Sequence, residues 1–298
     1  MTHKDMLLGL AIIFAWGFNF VAIRWGLDEL TPMMLGGFRF LIIAVIGSFF
    51  FTRPNTPWLW ILGYAMSLNF GQFAFLFTAM EFGMPAGLAS LVIQSQAIFT
   101  MFFAVLFLKE YVRPYQLLSI GVAASGLAVI GLNGDDTTMT VLGFAITLAA
   151  ASSWALGNVI TKIISKKGYD ANLNLIIWSC WITPIPFFVS AYFVDGADVM
   201  WQNIININWK TAATLAYLSI IATGLGYGLW SYLMSRYPAG SVAPLALGVP
   251  VVGLTSASLV LDEQISQIQW IGVCVVLLGL IMNTLGGRWL ARRANQRV

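Results

Sequence analysis

Ten long apolar stretches, separated by short polar breaks, restrict the fold of this chain more than any other feature of its sequence. A helix needs roughly 20 mostly apolar residues to cross a hydrocarbon core of about 30 Å. With 59% hydrophobic and 9% charged residues over 298 positions, the chain has too few charged side chains to cover a soluble protein of this size. The sequence therefore predicts an all-α integral membrane protein.

The breaks between the stretches contain turn-forming residues, such as Thr31-Pro32 and Lys167-Gly168. The stretches are continuously apolar, unlike the alternating segments of a membrane β-barrel. We expect the first to remain as a span, because it is too long for a signal peptide and lacks a small-x-small cleavage site. The predicted spans run approximately Met6 to Trp25, Met33 to Phe51, Trp58 to Met80, Pro85 to Leu108, Tyr115 to Leu132, Val141 to Thr161, Leu173 to Val194, Thr211 to Met234, Gly240 to Leu261 and Ile268 to Gly286.

The chain also contains an internal repeat with a constant offset of 153 positions. Internal repeats of this kind are typical of transporters. We predict two five-helix repeats, residues 1–134 and residues 135–298. The paired motifs are Pro85-Ala86-Gly87 with Pro238-Ala239-Gly240, and Leu108-Lys109-Glu110 with Leu261-Asp262-Glu263.

The distribution of basic residues predicts the orientation of the spans. If the N-terminus is cytoplasmic, twelve of the 15 Lys and Arg residues fall on the cytoplasmic side and only Lys210 falls outside, with Arg24 and Arg39 inside spans. Short loops rich in Lys and Arg stay on the cytoplasmic face, so both termini are predicted there. Because five spans per half is an odd number, the second half is inverted, and the two halves are expected to enclose a central cavity.

Several motifs occur at characteristic places along the chain. They are Trp16-Gly17-Phe18-Asn19, Arg39-Phe40, Trp154-Ala155-Leu156-Gly157-Asn158 and the two stretches from Pro-Ala-Gly to Glu. Together these motifs resemble the EamA family of the drug/metabolite transporter superfamily, and the resemblance covers essentially the whole chain. Within the family, the chain resembles the bacterial exporters of cysteine and O-acetylserine in Phe73 to Phe77, Gly83 to Val92 and Pro250 to Leu254.

This resemblance implies a secondary transporter of the bacterial inner membrane that exports small zwitterionic metabolites, amino acids such as cysteine and O-acetylserine, by alternating access. One departure concerns the fourth span, where family members often have a proline and this chain reads Gln94-Ser95-Gln96-Ala97. Pro250 is present in the second half. We therefore expect the two halves to bend differently.

Polar residues inside the spans are the candidates for substrate contact, because a polar group in hydrocarbon is costly. Asn19 and Asn158 follow Trp16 and Trp154 by about one helical turn at matching places in the two halves. Both pairs are expected to face the pseudo-two-fold axis. There they either contact substrate or hydrogen-bond neighbouring helices.

A second group of amides occurs only in the first half. Gln72 and Gln94 correspond to Leu225 and Leu247 in the second half, and Asn69 extends the same face as Gln72. An amide can bind both an ammonium and a carboxylate, so these residues suit an asymmetric substrate. Interhelical hydrogen bonding is the alternative.

Charged and aromatic residues complete the predicted substrate site. Arg39 is about seven residues into the second span, roughly 10 Å below the surface. It is expected either to pair with a substrate carboxylate or to bond backbone carbonyls at a helix end. Trp178, Tyr227 and Trp230 offer aromatic faces to an ammonium group, or pack and line the membrane interface.

Proton linkage, metals and ATP have little support in the sequence. No Asp, Glu or His falls in the middle of a predicted span, so the usual proton relay has no clear carrier. Glu81, at the outer end of the third span, is the candidate for proton linkage, with a solvated loop charge as the alternative. Cys180 and Cys274 show no disulfide or zinc spacing, and no Walker motif is present.

We therefore predict no enzymatic activity, no catalytic residue, no cofactor and no metal. The predicted partners are a small-molecule substrate and the lipid bilayer, without nucleic acid, and the choice between monomer and dimer stays open. One alternative is transport of another solute, such as a different or aromatic amino acid or a drug-like compound. A membrane-embedded enzyme would need clustered nucleophiles or an Asp pair inside the spans, and a scaffold would not need the symmetric polar pairs.

Overall fold

The computed structural model describes residues 1–133 and 139–295, with side chains except at 239–240 and 287–295, and this part of the chain is helical without strands. Nine of its helices are long and apolar enough to cross a membrane, and one shorter apolar helix, Pro32–Ser48, brings the number to ten. The predicted all-α, ten-helix membrane fold is confirmed. The predicted boundary between the halves, at residues 134 and 135, lies outside the described residues.

Prolines and capping side chains fix where several helices begin. Pro32 and Pro114 occupy first-turn positions that need no N–H donor, and the Thr140 hydroxyl accepts a hydrogen bond from the Gly143 N–H at 3.0 Å. The spans are His3–Leu27, Pro32–Ser48, Trp58–Glu81, Ala86–Leu108, Pro114–Leu132, Val141–Lys166, Leu173–Val194, Trp209–Arg236, Ala243–Val260 and Gln267–Gly286. A short helix, Ala239–Val242, precedes the ninth span, and the last helix continues to Asn295.

One additional helix, Ala197–Ile205, lies between the seventh and eighth spans and was not predicted. It contacts the loop before the second span, because the Asn203 side-chain oxygen accepts a hydrogen bond from the Thr31 N–H at 2.9 Å. Its nine residues are too short and too polar to resemble a span.

The two halves share irregular helical segments at corresponding positions. The third and eighth spans contain π-helical segments, Ala65–Gly71 and Tyr217–Leu225. The fourth and ninth spans contain 3₁₀ turns, Ile93–Ser95 and Ala243–Leu247. The fourth span and its counterpart, the ninth, are thus interrupted at equivalent places, by a turn of three residues in one and five in the other. That the two halves bend differently stays a prediction. Such segments are frequent at hinges and functional sites.

Contacts between helix ends define two faces of the bundle. We call the end at which the Tyr237 hydroxyl donates to the Asp5 carboxylate the terminal face. We call the end at which the Asn208 side-chain amide donates to Glu29 the opposite face. The first span runs from the terminal to the opposite face, and five spans later the sixth runs the other way, so the two five-helix halves are inverted.

The fifth and tenth spans pack with almost no side chain between their backbones. A Cβ atom at Gly126 would lie 2.7 Å from the Val276 nitrogen, and one at Gly279 would lie 2.6 Å from the Ala123 nitrogen. Small residues at such crossings allow the close approach by which membrane helices associate. This pair therefore joins the two halves through backbone contact.

Candidate functional site

Arg39 is buried where the second span meets the π-helical segment of the eighth. Its side chain is 2% exposed, and its guanidinium Nε and Nη2 donate to the Thr223 hydroxyl oxygen at 3.2 and 3.1 Å. The Ser219 hydroxyl donates to the main-chain oxygen of Arg39 at 2.9 Å. The alternative that the guanidinium bonds backbone carbonyls is therefore wrong, since a side-chain hydroxyl accepts both bonds.

One nitrogen of the Arg39 guanidinium has no hydrogen-bond partner. This atom, Nη1, is buried, and the ring centroid of Phe73 lies 4.3 Å from the guanidinium carbon. Among the side chains that the structure describes, which exclude those of residues 134–138, 239–240 and 287–298, ion pairs join only Arg24 to Asp28, and Lys162 and Lys166 to Glu110. A buried cation without a counter-ion is unfavourable by several kcal/mol. The position therefore favours binding of an anionic group.

The π segment of the third span makes the equivalent contacts from the other half. The Asn69 side-chain nitrogen donates to the Ser179 hydroxyl at 2.8 Å and to the Thr183 hydroxyl at 3.2 Å. The Ser153 hydroxyl donates to the main-chain oxygen of Ser67 at 2.8 Å. The amide of Asn69 is thus engaged in interhelical hydrogen bonds, the alternative raised from the sequence.

Each π segment is therefore hydrogen-bonded to the first and second spans of the opposite half. The segment in the eighth span accepts a bond from Trp16 Nε1 to the Ala222 oxygen at 2.9 Å, in addition to the bonds with Arg39. The segment in the third span contacts Ser153 and Ser179 in the corresponding spans of the second half. Both segments with an irregular helical hydrogen-bond pattern thus make polar contacts with the other half.

Three predicted amides have capacity to bind another molecule. The side-chain oxygens of Asn19 and Gln72 are buried and have no hydrogen-bond partner. Gln94 lies within the 3₁₀ turn of the fourth span and is partly exposed, and its side chain makes no hydrogen bond within the described part of the chain. These groups are acceptors that an ammonium or hydroxyl group can use.

Asn158, the counterpart of Asn19, is instead engaged between helices. Its side-chain nitrogen donates to the Gln96 side-chain oxygen at 2.8 Å and to the Thr100 hydroxyl at 3.2 Å. These bonds join the sixth span to the fourth, just beyond its 3₁₀ turn. Trp154 lies one turn away and packs, half-buried, against the hydrophobic core. The symmetric asparagines therefore have different surroundings.

The structure brings three of the predicted aromatic residues together. The ring centroids of Tyr227 and Trp230 each lie 5.3 Å from that of Trp16. Gly226 permits this packing, because a Cβ atom there would lie 2.4 Å from the Trp16 Nε1 atom. Trp178 lies outside this cluster and donates from Nε1 to the Phe51 oxygen at 3.1 Å.

Two features lie away from these groups. Glu81 is exposed at the end of the third span. A cavity of about 500 Å³ opens near the opposite face between the first and eighth spans. Phe18, Trp25 and Glu29 belong to its lining, which includes none of the residues predicted from the sequence to bind substrate.

The hydroxyl residues that bond Arg39 and Asn69 were not predicted from the sequence; they are Thr223, Ser219, Ser179 and Thr183. Ser and Thr are common in apolar helices, where the hydroxyl can bond the backbone of the preceding turn and so needs no external partner. A hydroxyl residue inside a span therefore carries little signal. Only the internal repeat pointed to one of them: Thr223 directly follows Ala222, which is the counterpart of Asn69 in the second half.

Comparisons with known proteins agree with this architecture. The profile of the EamA-like transporter family matches residues 3–132 and 141–285. A probable amino-acid metabolite efflux pump of Escherichia coli (strain K12) is 45% identical over 293 residues, which cover 97% of each chain. The protein with the same name in Salmonella typhimurium (strain LT2) is 44% identical over 292 residues and 97% of each chain.

More distant similarities extend over the same length. An uncharacterized transporter of Synechocystis is 26% identical over 94% of this chain and 91% of its own. A solved crystal structure with 17% identity has a TM-score of 0.65 and matches 97% of this chain and 99% of its own. At that identity the likeness supports the fold alone.

Proposed function

Because this chain belongs to the EamA-like transporter family, we propose that it is a secondary transporter that exports small zwitterionic metabolites, amino acids such as cysteine and O-acetylserine, by alternating access. The names of the two bacterial relatives, probable amino-acid metabolite efflux pumps, support efflux of this class of compound. The inverted halves support an exchange of access between the two faces.

The observation that carries the substrate class is the uncompensated charge of Arg39. A carboxylate that reaches the free Nη1–H would form a charge-assisted hydrogen bond and neutralise the buried guanidinium. The unpartnered oxygens of Asn19 and Gln72 supply acceptors for an ammonium group. The cluster of Trp16, Tyr227 and Trp230 supplies aromatic faces for the same group. A zwitterion has both charges, which suits this combination.

The orientation follows from the distribution of basic residues. Both termini are assigned to the cytoplasm, so the terminal face is the cytoplasmic face, in a bacterial inner membrane. Export then requires that substrate enters at the terminal face. Glu81 stays the candidate for proton linkage, and counterflow by Glu81→Gln with and without a pH gradient measures its role.

Counterflow in proteoliposomes tests the proposal. We expect the wild-type protein to exchange cysteine and O-acetylserine but not cysteamine, which keeps the ammonium and thiol and lacks the carboxylate. Arg39→Met should reduce exchange of cysteine by at least about 10-fold, as expected for loss of a charged hydrogen bond. Arg24→Met is the matched control, because Arg24 is exposed and already paired with Asp28.

Exchange of cysteamine at the rate of cysteine would contradict the role of the carboxylate, and normal exchange by Arg39→Met would remove Arg39 from the site. The aromatic cluster makes an aromatic amino acid or drug-like compound the second candidate substrate. Phenylalanine and tryptophan therefore belong in the same counterflow series. If only these compounds exchange, the second candidate replaces the first.

A further inference from the structure

The repeated Leu-x-Glu segments present two glutamates in the same way. Lys109 and Asp262, which precede Glu110 and Glu263, both adopt the left-handed conformation, with φ of 52° and 54°. The N–H groups of Glu110 and Glu263 donate to the Ala104 and Ala257 oxygens at 3.3 and 3.4 Å. A non-glycine residue at positive φ is uncommon and moderately strained. Because this conformation occurs at both equivalent positions, the same type of turn positions each of the two carboxylates.

Glu263 uses this position to join the two halves at the opposite face. Its Oε1 and Oε2 atoms accept hydrogen bonds from the Ala86 and Gly87 N–H groups at 2.7 and 2.9 Å. Both N–H groups belong to the first turn of the fourth span, where a negative charge is favoured by the helix dipole. The absence of a side chain at Gly87 permits the contact, since a Cβ atom there would lie 3.2 Å from Glu263 Oε2.

Glu110 has different partners at the terminal face. The Lys162 and Lys166 ammonium groups donate to its Oε2 and Oε1 atoms at 2.6 and 3.0 Å. The terminal half of the fourth span, Gln96–Leu108, packs against the sixth span, whereas the half that starts at Ala86 packs against the ninth. The fourth span is therefore held by the ninth at the opposite face and by the sixth at the terminal face.

We propose that Glu263 and Glu110 are paired gating residues of the transport cycle, each closing its own face by capping the first turn of the Pro-Ala-Gly helix of the other half. The proposal rests on alternating access as the proposed function. Glu263 caps Ala86 and Gly87 in the orientation described here, which holds the fourth span against the ninth at the opposite face. In the other orientation, Glu263 releases this helix, and Glu110 leaves its lysines to cap the helix that starts at Pro238-Ala239-Gly240.

The two gates differ in their competing partners. Lys162 and Lys166 end the sixth span, whereas the first span, its counterpart, ends with Arg24 already paired to Asp28. Only Glu110 therefore has a basic partner that opposes capping. This asymmetry favours the orientation in which the terminal face is open, the face at which an exporter receives its substrate.

Hydrogen exchange measured by mass spectrometry on the full chain in lipid nanodiscs, without substrate, tests the gates. Glu263→Gln should increase exchange in residues 84–91 by about 10-fold or more, because it removes a charged acceptor from two N–H groups. The same variant should decrease exchange in residues 237–243, as the population shifts to the other orientation. Asp198→Asn, an exposed acid at the opposite face, is the control and should change neither segment.

The double variant Glu263→Gln with Glu110→Gln identifies the second gate. The decrease in hydrogen exchange that Glu263→Gln causes in residues 237–243 should be absent from this double variant. Protection that persists in the double variant, or exchange in residues 237–243 that never responds to Glu263→Gln, would overturn the pairing. The hydrogen-exchange experiment contains no transported compound, so its result does not depend on the identity of the substrate. Failure of cysteine counterflow would contradict the proposed substrate but not the role of the two glutamates.

Discussion

Arg39 and Thr223 connect the second span to the eighth through one shared oxygen, which accepts hydrogen bonds from Nε and Nη2 of the guanidinium at 3.2 and 3.1 Å. The Thr223 hydroxyl donates its own proton to the Leu218 oxygen, five residues earlier, at 2.8 Å. The backbone of the π segment thus fixes the orientation of the hydroxyl. As a result, the buried Nη1 edge of Arg39 is the part left available to a ligand.

Thr223→Val tests this positioning role. The substitution keeps the shape of the side chain but removes the acceptor, so we expect the KM for cysteine in counterflow to rise by about 10-fold with a smaller change in maximal rate. Thr223→Ser retains the hydroxyl and should restore the wild-type KM. Thr255→Val, at an exposed position of the ninth span, is the matched control. An unchanged KM in Thr223→Val would remove Thr223 from the site.

Gln94→Leu introduces the residue that the second half carries at the equivalent position, Leu247. The side chain of Gln94 makes no hydrogen bond in the described part of the chain, so we expect slower amino-acid exchange with little change in melting temperature. Asn158→Ala should reduce exchange and also lower the melting temperature, because two hydrogen bonds worth about 1 kcal/mol each are lost. Counterflow and thermal unfolding measure both effects, and normal exchange by Gln94→Leu would contradict a role in substrate binding.

Gly126→Ala tests the backbone contact between the fifth and tenth spans. The new methyl group would lie 2.7 Å from the Val276 nitrogen and 2.8 Å from the Gly272 oxygen, which cannot move independently of their helix. We expect destabilisation of about 1 to 3 kcal/mol, seen as a lower melting temperature. Gly121→Ala, in the same helix with open space around it, should be neutral or slightly stabilising. Equal melting temperatures for the two variants would exclude close backbone packing.

The ion pairs of Glu110 predict a specific pH dependence. Hydrogen bonds from Lys162 and Lys166 lower the pKa of Glu110 below its ordinary value of 4.5. Because this pKa is depressed in the folded protein, the stabilisation is present above pH 4.5 and is lost as the pH falls through the lowered pKa. The pairs are solvent-exposed, so the contribution is no more than about 1 kcal/mol.

Thermal unfolding of the double variant Lys162→Met and Lys166→Met measures this effect. Its melting temperature should be below that of the wild type at neutral pH, and the difference should vanish in acid. Lys167→Met removes a charge from the same helix end without contacting Glu110 and serves as the control. A difference that grows in acid would contradict the lowered pKa.

Features that depend on composition were predictable from the sequence. Hydrocarbon thickness sets the length of a span, and loops stand out by Pro, Gly and charge, so the ten helices were located within a few residues of their ends. Arg39 was identifiable because a guanidinium far from water is exceptional. The pairing of Trp16 with Tyr227 was not specified, since an aromatic residue in a span packs against many possible neighbours.

Other features depend on hydrogen-bond pattern or on tertiary contact and left no sequence signal. A π turn differs from an α turn by one step in hydrogen bonding, and both Ala65–Gly71 and Tyr217–Leu225 contain ordinary helix-compatible residues. The 3₁₀ turn at Ile93–Ser95 forms although this part of the fourth span contains no proline. The contact of Glu263 with Ala86 and Gly87 requires both halves to be assembled before it exists.

The π segments also determine what happens to a span when one residue is deleted from it. A π turn contains one residue more than the α turn it replaces, so deleting one residue from Ala65–Gly71 would restore an α turn and rotate the rest of the third span by about 100°. Gln72 and Phe73 would then face different neighbours, while the repeat in the second half would keep its geometry. A single-codon deletion, without any substitution, would thus change which residues of the third span face the other half.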